Sequence, residues 1–140
     1  MMFTIIFPVL NERLRLESGV TRTVEYLQSI AFEDYEIIIV DNGSEDETPQ
    51  IAEKLCKKYD KVRYERINVR GVGAAFRRGV EVSHGDVVGY MDIDLSTNIR
   101  HLGEAIHLFG TQPEVQYING SRFARESDTR GRKWYRRITS

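Results

Sequence analysis

Two carboxylates separated by one apolar residue, Asp92-Ile93-Asp94, close a short apolar stretch that begins at Asp86. Acids at the end of a buried strand need a partner. Alternate residues of an extended segment point to opposite sides, so either both acids grip one cation or one holds a cation while the other meets sugar or ribose hydroxyls. Oxygen ligands of this kind suit Mg2+ or Mn2+, which bind phosphate-bearing substrates through one or two carboxylates and keep several waters. Three more clusters accompany the acids: Pro8-Val9-Leu10-Asn11-Glu12, Asp41-Asn42-Gly43-Ser44, and Gly71 and Gly73 with Ala74. The second has the composition of an Asx turn with positive φ at Gly43, leading into a helix capped near Ser44 or Asp46. The third permits close backbone approach and aims a helix N-terminus at an anion. Its spacing matches neither the dinucleotide fingerprint nor a phosphate loop ending in Lys-Ser/Thr, which excludes both. His84, His101 and His107 do not group with acids at metal-ligand spacing, and Cys56 falls on the pattern of a half-buried helix position.

The elements that must carry these clusters alternate in type. Residues 3–7 form an apolar strand closed by Pro8, and Val20, Val24, Leu27 and Ile30 repeat at helical spacing. Residues 36–40 read as a doubly covered parallel strand. Pro49 stands at the start of a helix that buries Ile51, Leu55 and Tyr59. A third strand at 62–66, a helix at 74–83, a strand at 86–91, a helix to Phe109 capped by Asn98, and a fifth strand at 115–118 complete the order. Strands joined by helices require right-handed crossovers, so the fold class is α/β, a mostly parallel sheet with helices on both faces. In such a sheet ligands bind beyond the C-terminal strand ends, which is where the loops after strands one, two and four meet.

A chain of 140 residues, 41% hydrophobic, suits one domain with a real core. The net charge of −1 argues against nucleic-acid binding, but it hides an asymmetry. Residues 121–140 hold seven basic side chains against Glu126 and Asp128, a local +5 that leaves −6 for residues 1–120. With Trp134 and Tyr135 among the arginines, this segment suits an anion or a membrane headgroup layer. No apolar run approaches the roughly 20 residues that cross a bilayer, and residues 1–9 enter a strand without a basic segment or cleavage site. The expectation is a cytoplasmic protein, with peripheral contact at the cytoplasmic membrane face through the basic tail.

Taken in order, FPVLNE at 7–12, VDNGSEDET at 40–48, GVGAAFRRG at 71–79 and DIDLS at 92–96 resemble the family 2 glycosyltransferases of the GT-A fold. NGSRF at 119–123 and RKWYRRITS at 132–140 resemble the polyprenyl-phosphate branch, which includes dolichyl-phosphate mannose and glucose synthases. The resemblance implies a Rossmann-like nucleotide-sugar core at 1–120 and a basic acceptor-side segment at 121–140, within a catalytic domain that continues further. It implies that Pro8, Leu10 and Glu12 line the nucleotide pocket, with Val40 and Asn42 beside the base. Family members often carry Asp at position 42; an Asn oxygen still accepts from a base N–H but brings no charge. Asp92 and the Ile93 backbone would meet the donor, and Asp94 would hold the metal on its diphosphate, with Asp92 alongside and Ser96 as a further metal-side ligand. Arg122, Arg136 and Ser140 match positions that bind the acceptor phosphate or donor diphosphate.

The implied reaction moves a sugar from a UDP- or GDP-sugar to a polyprenyl phosphate by metal-assisted, inverting displacement, with Asp92, Asp94, Arg122 and Arg136 as catalytic residues. A phosphate acceptor is already an anion at neutral pH and needs no strong general base. Arginine forks match its oxygens. Two alternatives stand beside this reading: transfer to a saccharide hydroxyl, which needs a carboxylate base such as Glu104, Glu114, Glu126 or Asp128, and nucleotide-sugar binding without catalysis. Nucleotidyltransferases are set aside because residues 8–13 lack their Gly-rich, basic signature.

Overall fold

The computed structural model describes residues 1–120. Eight elements alternate: β1 (Phe3–Val9), α1 (Leu16–Ser29), β2 (Tyr35–Asp41), α2 (Thr48–Lys58), β3 (Val62–Arg66), α3 (Val72–Val82), β4 (Val87–Tyr90) and α4 (Arg100–Thr111). The strands form one parallel sheet in the order β3-β2-β1-β4, with Ile5 opposite Ile37 and Gly89, and Ile39 opposite Tyr64.

The two-residue period of the strands divides the core. Phe3, Ile5, Phe7 and Val9 of β1 and Ile37 and Ile39 of β2 face α1 and α2, where Leu16, Val20, Val24, Leu27, Ala52 and Leu55 are buried. Leu102, Ile106 and Phe109 of α4 pack on the same side, half-buried. Ile6, Ile38 and Val40 face the other way, onto Ala75 and Phe76 of α3. Helices therefore cover both faces. Gly79 of α3 has no room for a side chain, since a Cβ there would stand 2.5 Å from Ile6 Cδ1.

At the N-terminal strand ends, Glu36 is almost fully buried and held by four groups. Thr4 Oγ1 donates to it at 2.7 Å, the His84 backbone at 2.6 Å and Arg63 Nη1 at 3.0 Å, with His84 Nδ1 at 3.3 Å. Burial pushes this carboxyl up, but the donors from the His84 backbone, Thr4, Arg63 and the His84 ring outweigh it and hold its pKa below the ordinary value.

Several expected bounds shift. The first strand runs two residues past residue 7, through Pro8 and Val9, because the β2 ladder continues to Val9 opposite Asp41. The third helix starts at Val72, not near residue 74. Ile30 follows α1 as its C-cap and is 41% exposed instead of lying on its buried face. Asn98 caps α4 as expected: its Oδ1 accepts from the Arg100 N–H at 3.0 Å. The expected strand at 115–118 is not formed; α4 ends in a turn, Val115 N donating to the Gln112 carbonyl, and residues 115–118 join no described strand. A strand-favouring composition produces a strand only where another strand presents its ladder, and Tyr117 is 79% exposed here.

Candidate functional site

From β1 the chain winds outward through β2 to β3, then returns to the other side of β1 for β4, so the strand order, though not the parallel strand direction, reverses between β1 and β4. Loops leaving two such strands diverge and open a crevice at their C-terminal ends. The backbone of β1 shows where it opens. Met2 and Ile6 carbonyls accept from Val87 and Met91 of the β4 side, whereas Val9 accepts from Asn42 beyond β2. Pro8 shares the parity of Ile6 and so faces β4, with no N–H to continue the ladder. The β1–β4 register ends with Ile6 opposite Tyr90, and the Met91 N–H makes the last bond to β1 at the Ile6 carbonyl.

The acidic pair occupies a turn at this opening. Leu95 N donates to the Asp92 carbonyl at 3.0 Å, with Leu95 at φ 50°. Ile93 is buried at 4% exposure in the core beside α1, whereas Asp92, Asp94 and Ser96 are exposed. Asp94 Oδ1 accepts from the Ser96 N–H at 2.9 Å, which braces the turn. Gly19 of α1 makes this docking possible. A Cβ there would collide with the Ile93 carbonyl and stand 2.7 Å from Ile93 Cδ1. The apolar residue of the motif is thus an anchor, and the two carboxylates are carried on either side of it.

The loops after β1 and β2 are laced together on the other side of the crevice. Asn11, at φ 53°, bonds the loop after β2 in both directions: its backbone N–H donates to Ser44 Oγ at 2.9 Å and its Oδ1 accepts from Glu45 N at 2.9 Å. Glu12 N donates to Thr48 Oγ1 at 2.8 Å, and the Glu12 carboxylate pairs with Arg15 at 2.8 Å. Asp41 is completely buried and is the hub. Its Oδ1 accepts from Ser44 N at 2.7 Å and Ser44 Oγ at 2.6 Å, and its Oδ2 from Tyr64 at 2.8 Å and Arg66 at 3.0 Å. Burial, reinforced by donation to Asp41, pushes the Tyr64 hydroxyl up to about 12. The expected turn is present, with Gly43 at φ 90°.

The structure brings Pro8, Leu10, Asn42, Ile93 and the two acids to the C-terminal edge of the sheet. Leu10 is 38% exposed and available to a ligand. Val40 is not: its side chain is fully buried against α3 and supports the site from beneath. Glu12 is held by Arg15, and Asn42 is almost fully buried. Arg122, Arg136 and Ser140 lie outside the described residues. Among the described residues no group of three or more His, Cys, Asp or Glu side chains converges to hold a metal. Two acids on one turn, with a hydroxyl two residues on, still fit a cation that takes its remaining ligands from a diphosphate and water.

Sequence comparison decides the family. Glycosyl transferase family 2 matches residues 4–140. The chain belongs to this family. A dolichyl-phosphate beta-glucosyltransferase of Mus musculus is 34% identical over 94% of the chain and 44% of its own length. A dolichol-phosphate mannosyltransferase of Pyrococcus furiosus is 30% identical over the whole chain and 38% of its own length. The chain spans 17% to 44% of the length of five curated relatives it matches. The fold is shared with glucosyl-3-phosphoglycerate synthase from Mycobacterium tuberculosis, solved with Mn2+, UDP and glucosyl-3-phosphoglycerate: TM-score 0.60, 24% identity, over 79% of this chain and 40% of that one. A mannosyltransferase from Pyrobaculum calidifontis, solved with GDP-Man and Mn2+, gives TM-score 0.54 and 20% identity over 66% of this chain and 27% of that one. These neighbours establish the GT-A type of sheet for this family 2 chain.

The motifs do not mark Gly19, Tyr64 or Arg66, and Thr48 closes the 40–48 motif without its role being legible there. Gly19 reads as one helix residue among many, Tyr64 and Arg66 act through Asp41, and Thr48 acts on the Glu12 backbone N–H distant in sequence.

Proposed function

We propose that this chain forms the donor side of a glycosyltransferase that moves a sugar from a nucleotide-diphosphate sugar to a polyprenyl phosphate. The observation that carries the reading is the Asp92-Ile93-Asp94 turn, anchored by Ile93 at the switch point of the sheet with both acids exposed. The dolichyl-phosphate transferases among the relatives support the acceptor class, and the UDP and GDP-Man complexes of the structural neighbours support a UDP- or GDP-sugar donor.

In this reading Pro8, Leu10 and Glu12 line one wall of the nucleotide pocket and Asp92 with the Ile93 backbone lines the other. Asp94, with Asp92 and Ser96 alongside, would hold Mg2+ or Mn2+, which when bound neutralises charge on the donor diphosphate. The anchored turn fixes the carboxylates before the donor arrives, so little reorganisation is needed at reaction. Arg122, Arg136 and Ser140 would meet acceptor phosphate or donor diphosphate oxygens, and the acceptor phosphate attacks the anomeric carbon with inversion while the nucleoside diphosphate leaves. The acceptor is lipid-borne, so the basic segment at 121–140 would approach the cytoplasmic membrane face; among the described residues no helix is long and apolar enough to cross a bilayer.

The test is calorimetric titration with UDP, GDP and their sugar conjugates, with Mn2+ and with chelator. Metal-dependent binding of one nucleotide, lost in Asp94→Ala with the melting temperature unchanged, is expected. Equal binding by Asp94→Ala and the parent would sink the metal assignment. Turnover of soluble saccharides in preference to a polyprenyl phosphate would replace the acceptor.

A further inference from the structure

Asn42 follows the last residue of β2, and its surroundings favour an amide there. Asn42 is 4% exposed and joins the ends of β1 and β2 to the loop that follows β3. Its backbone N–H donates to the Val9 carbonyl at 2.9 Å, past the end of β1. With its amide turned to satisfy its neighbours, Nδ2 donates to the carbonyls of Val69 at 3.2 Å and Gly71 at 2.9 Å. Both belong to the loop between β3 and α3. Gly71 stands at φ 128°, a conformation closed to most side chains, and its carbonyl also accepts the first hydrogen bond of α3, from Ala75 N at 3.1 Å. The loop is otherwise exposed: Asn68, Val69 and Arg70 face solvent, and the Arg70 contact to Glu45 is a 3.6 Å surface pair of little energetic consequence.

We propose that Asn42 is a positioning residue that latches residues 69–71 against the ends of β1 and β2, with its amide N–H groups committed to the loop and not to the donor base. A donor is required at this position, which a carboxylate cannot supply. An ionised Asp would set its oxygens against two carbonyl oxygens in a nearly dry site, where unpaired like dipoles are costly. The latch closes one side of the crevice in which the donor nucleotide is proposed to bind, so its role in binding rests on that reading. The latch itself does not.

The experiment compares the parent chain with Asn42→Asp. Two local readouts report the loop: trypsin cleavage after Arg70, and hydrogen exchange at the Ala75 amide. Both are expected to rise about tenfold or more at neutral pH, the factor that corresponds to 1.4 kcal/mol at 25 °C. Protonating the introduced carboxyl returns one donor, so the excess exchange at Ala75 should shrink in mild acid after correction for intrinsic rates. Affinities for UDP and GDP, each with Mn2+, should fall in parallel. Unchanged cleavage and exchange would overturn the latch whatever the nucleotides do. Faster cleavage with a loss confined to one nucleotide would overturn the claim that the amide does not read the base. If the parent binds neither nucleotide, the donor-site reading fails, and the cleavage comparison still decides the latch.

Discussion

Gly19→Ala is a single-methyl change 74 residues from the Asp92-Ile93-Asp94 turn in sequence, and it should damage that turn more than it damages the fold. The added Cβ would stand 2.7 Å from Ile93 Cδ1 and closer still to the Ile93 carbonyl. Carbon atoms pack at about 3.5–4.0 Å, so the turn must withdraw by about 1 Å. The side chain has rotamers with which to yield, but the carbonyl moves only with the backbone that carries both acids. Overpacking of this kind costs about 1–3 kcal/mol, and replacing a helical glycine by alanine returns about 0.5–1 kcal/mol. The net loss of stability is thus about 0–2.5 kcal/mol, a few degrees of melting temperature for a chain of this size. A 1 Å misplacement of positioning groups costs about 100-fold in rate. The expected signature is a small shift in thermal unfolding with a large loss of Mn2+-dependent nucleotide binding by calorimetry. Adding Ile93→Ala should not restore binding, because the clash with the carbonyl remains. Nucleotide affinity equal to the parent's in Gly19→Ala would refute the argument that Gly19 seats the turn.

Other expectations follow from the buried polar groups. Glu36→Gln should lower stability by about 1.5–3 kcal/mol at neutral pH, the range for hydrogen bonds to a charged group, with partly exposed Arg63 placing it toward the lower end. Because the folded pKa of Glu36 lies below its ordinary value, its contribution is present above the unfolded pKa of about 4.3 and disappears as pH falls through the folded value. Urea unfolding of parent and variant should therefore differ at pH 7 and converge in acid; a constant difference would exclude the charged form as the source. Asp41→Ala removes the acceptor from Ser44 and Tyr64, at about 1–3 kcal/mol for each buried donor left unsatisfied, while the exposed Arg66 guanidinium turns to water. Denaturant unfolding should show a loss of that order, and parent-like stability would mean that water replaces the carboxylate.

Much of the fold was legible because the signals are local. The apolar run at Ile37–Val40, the helical spacing of Val20, Val24 and Leu27, Pro49 at a helix start and Asn98 as a cap each act within a few residues, and each stands where its pattern placed it. The strand expected at 115–118 failed because strand formation depends on a distant partner. In the candidate site, the acids and the polar turn were legible as motifs, since their chemistry lies in residue type and spacing. The job each side chain performs was not. Val40 lies in a pocket-associated motif yet is core, because strand parity turns it toward α3.

The sequence by itself determined the α/β alternation and the family, because periodicity and motif order are written along the chain, and it marked Asp92, Asp94 and Ser96 as the candidates proposed to hold a cation. Only the tertiary structure decided that Ile93 anchors the acidic turn on Gly19, that Asp41 is a closed hub and that the Asn42 amide faces the Val69 and Gly71 carbonyls. Those facts are distances between segments far apart in sequence, set by how a twisted sheet and its helices close-pack.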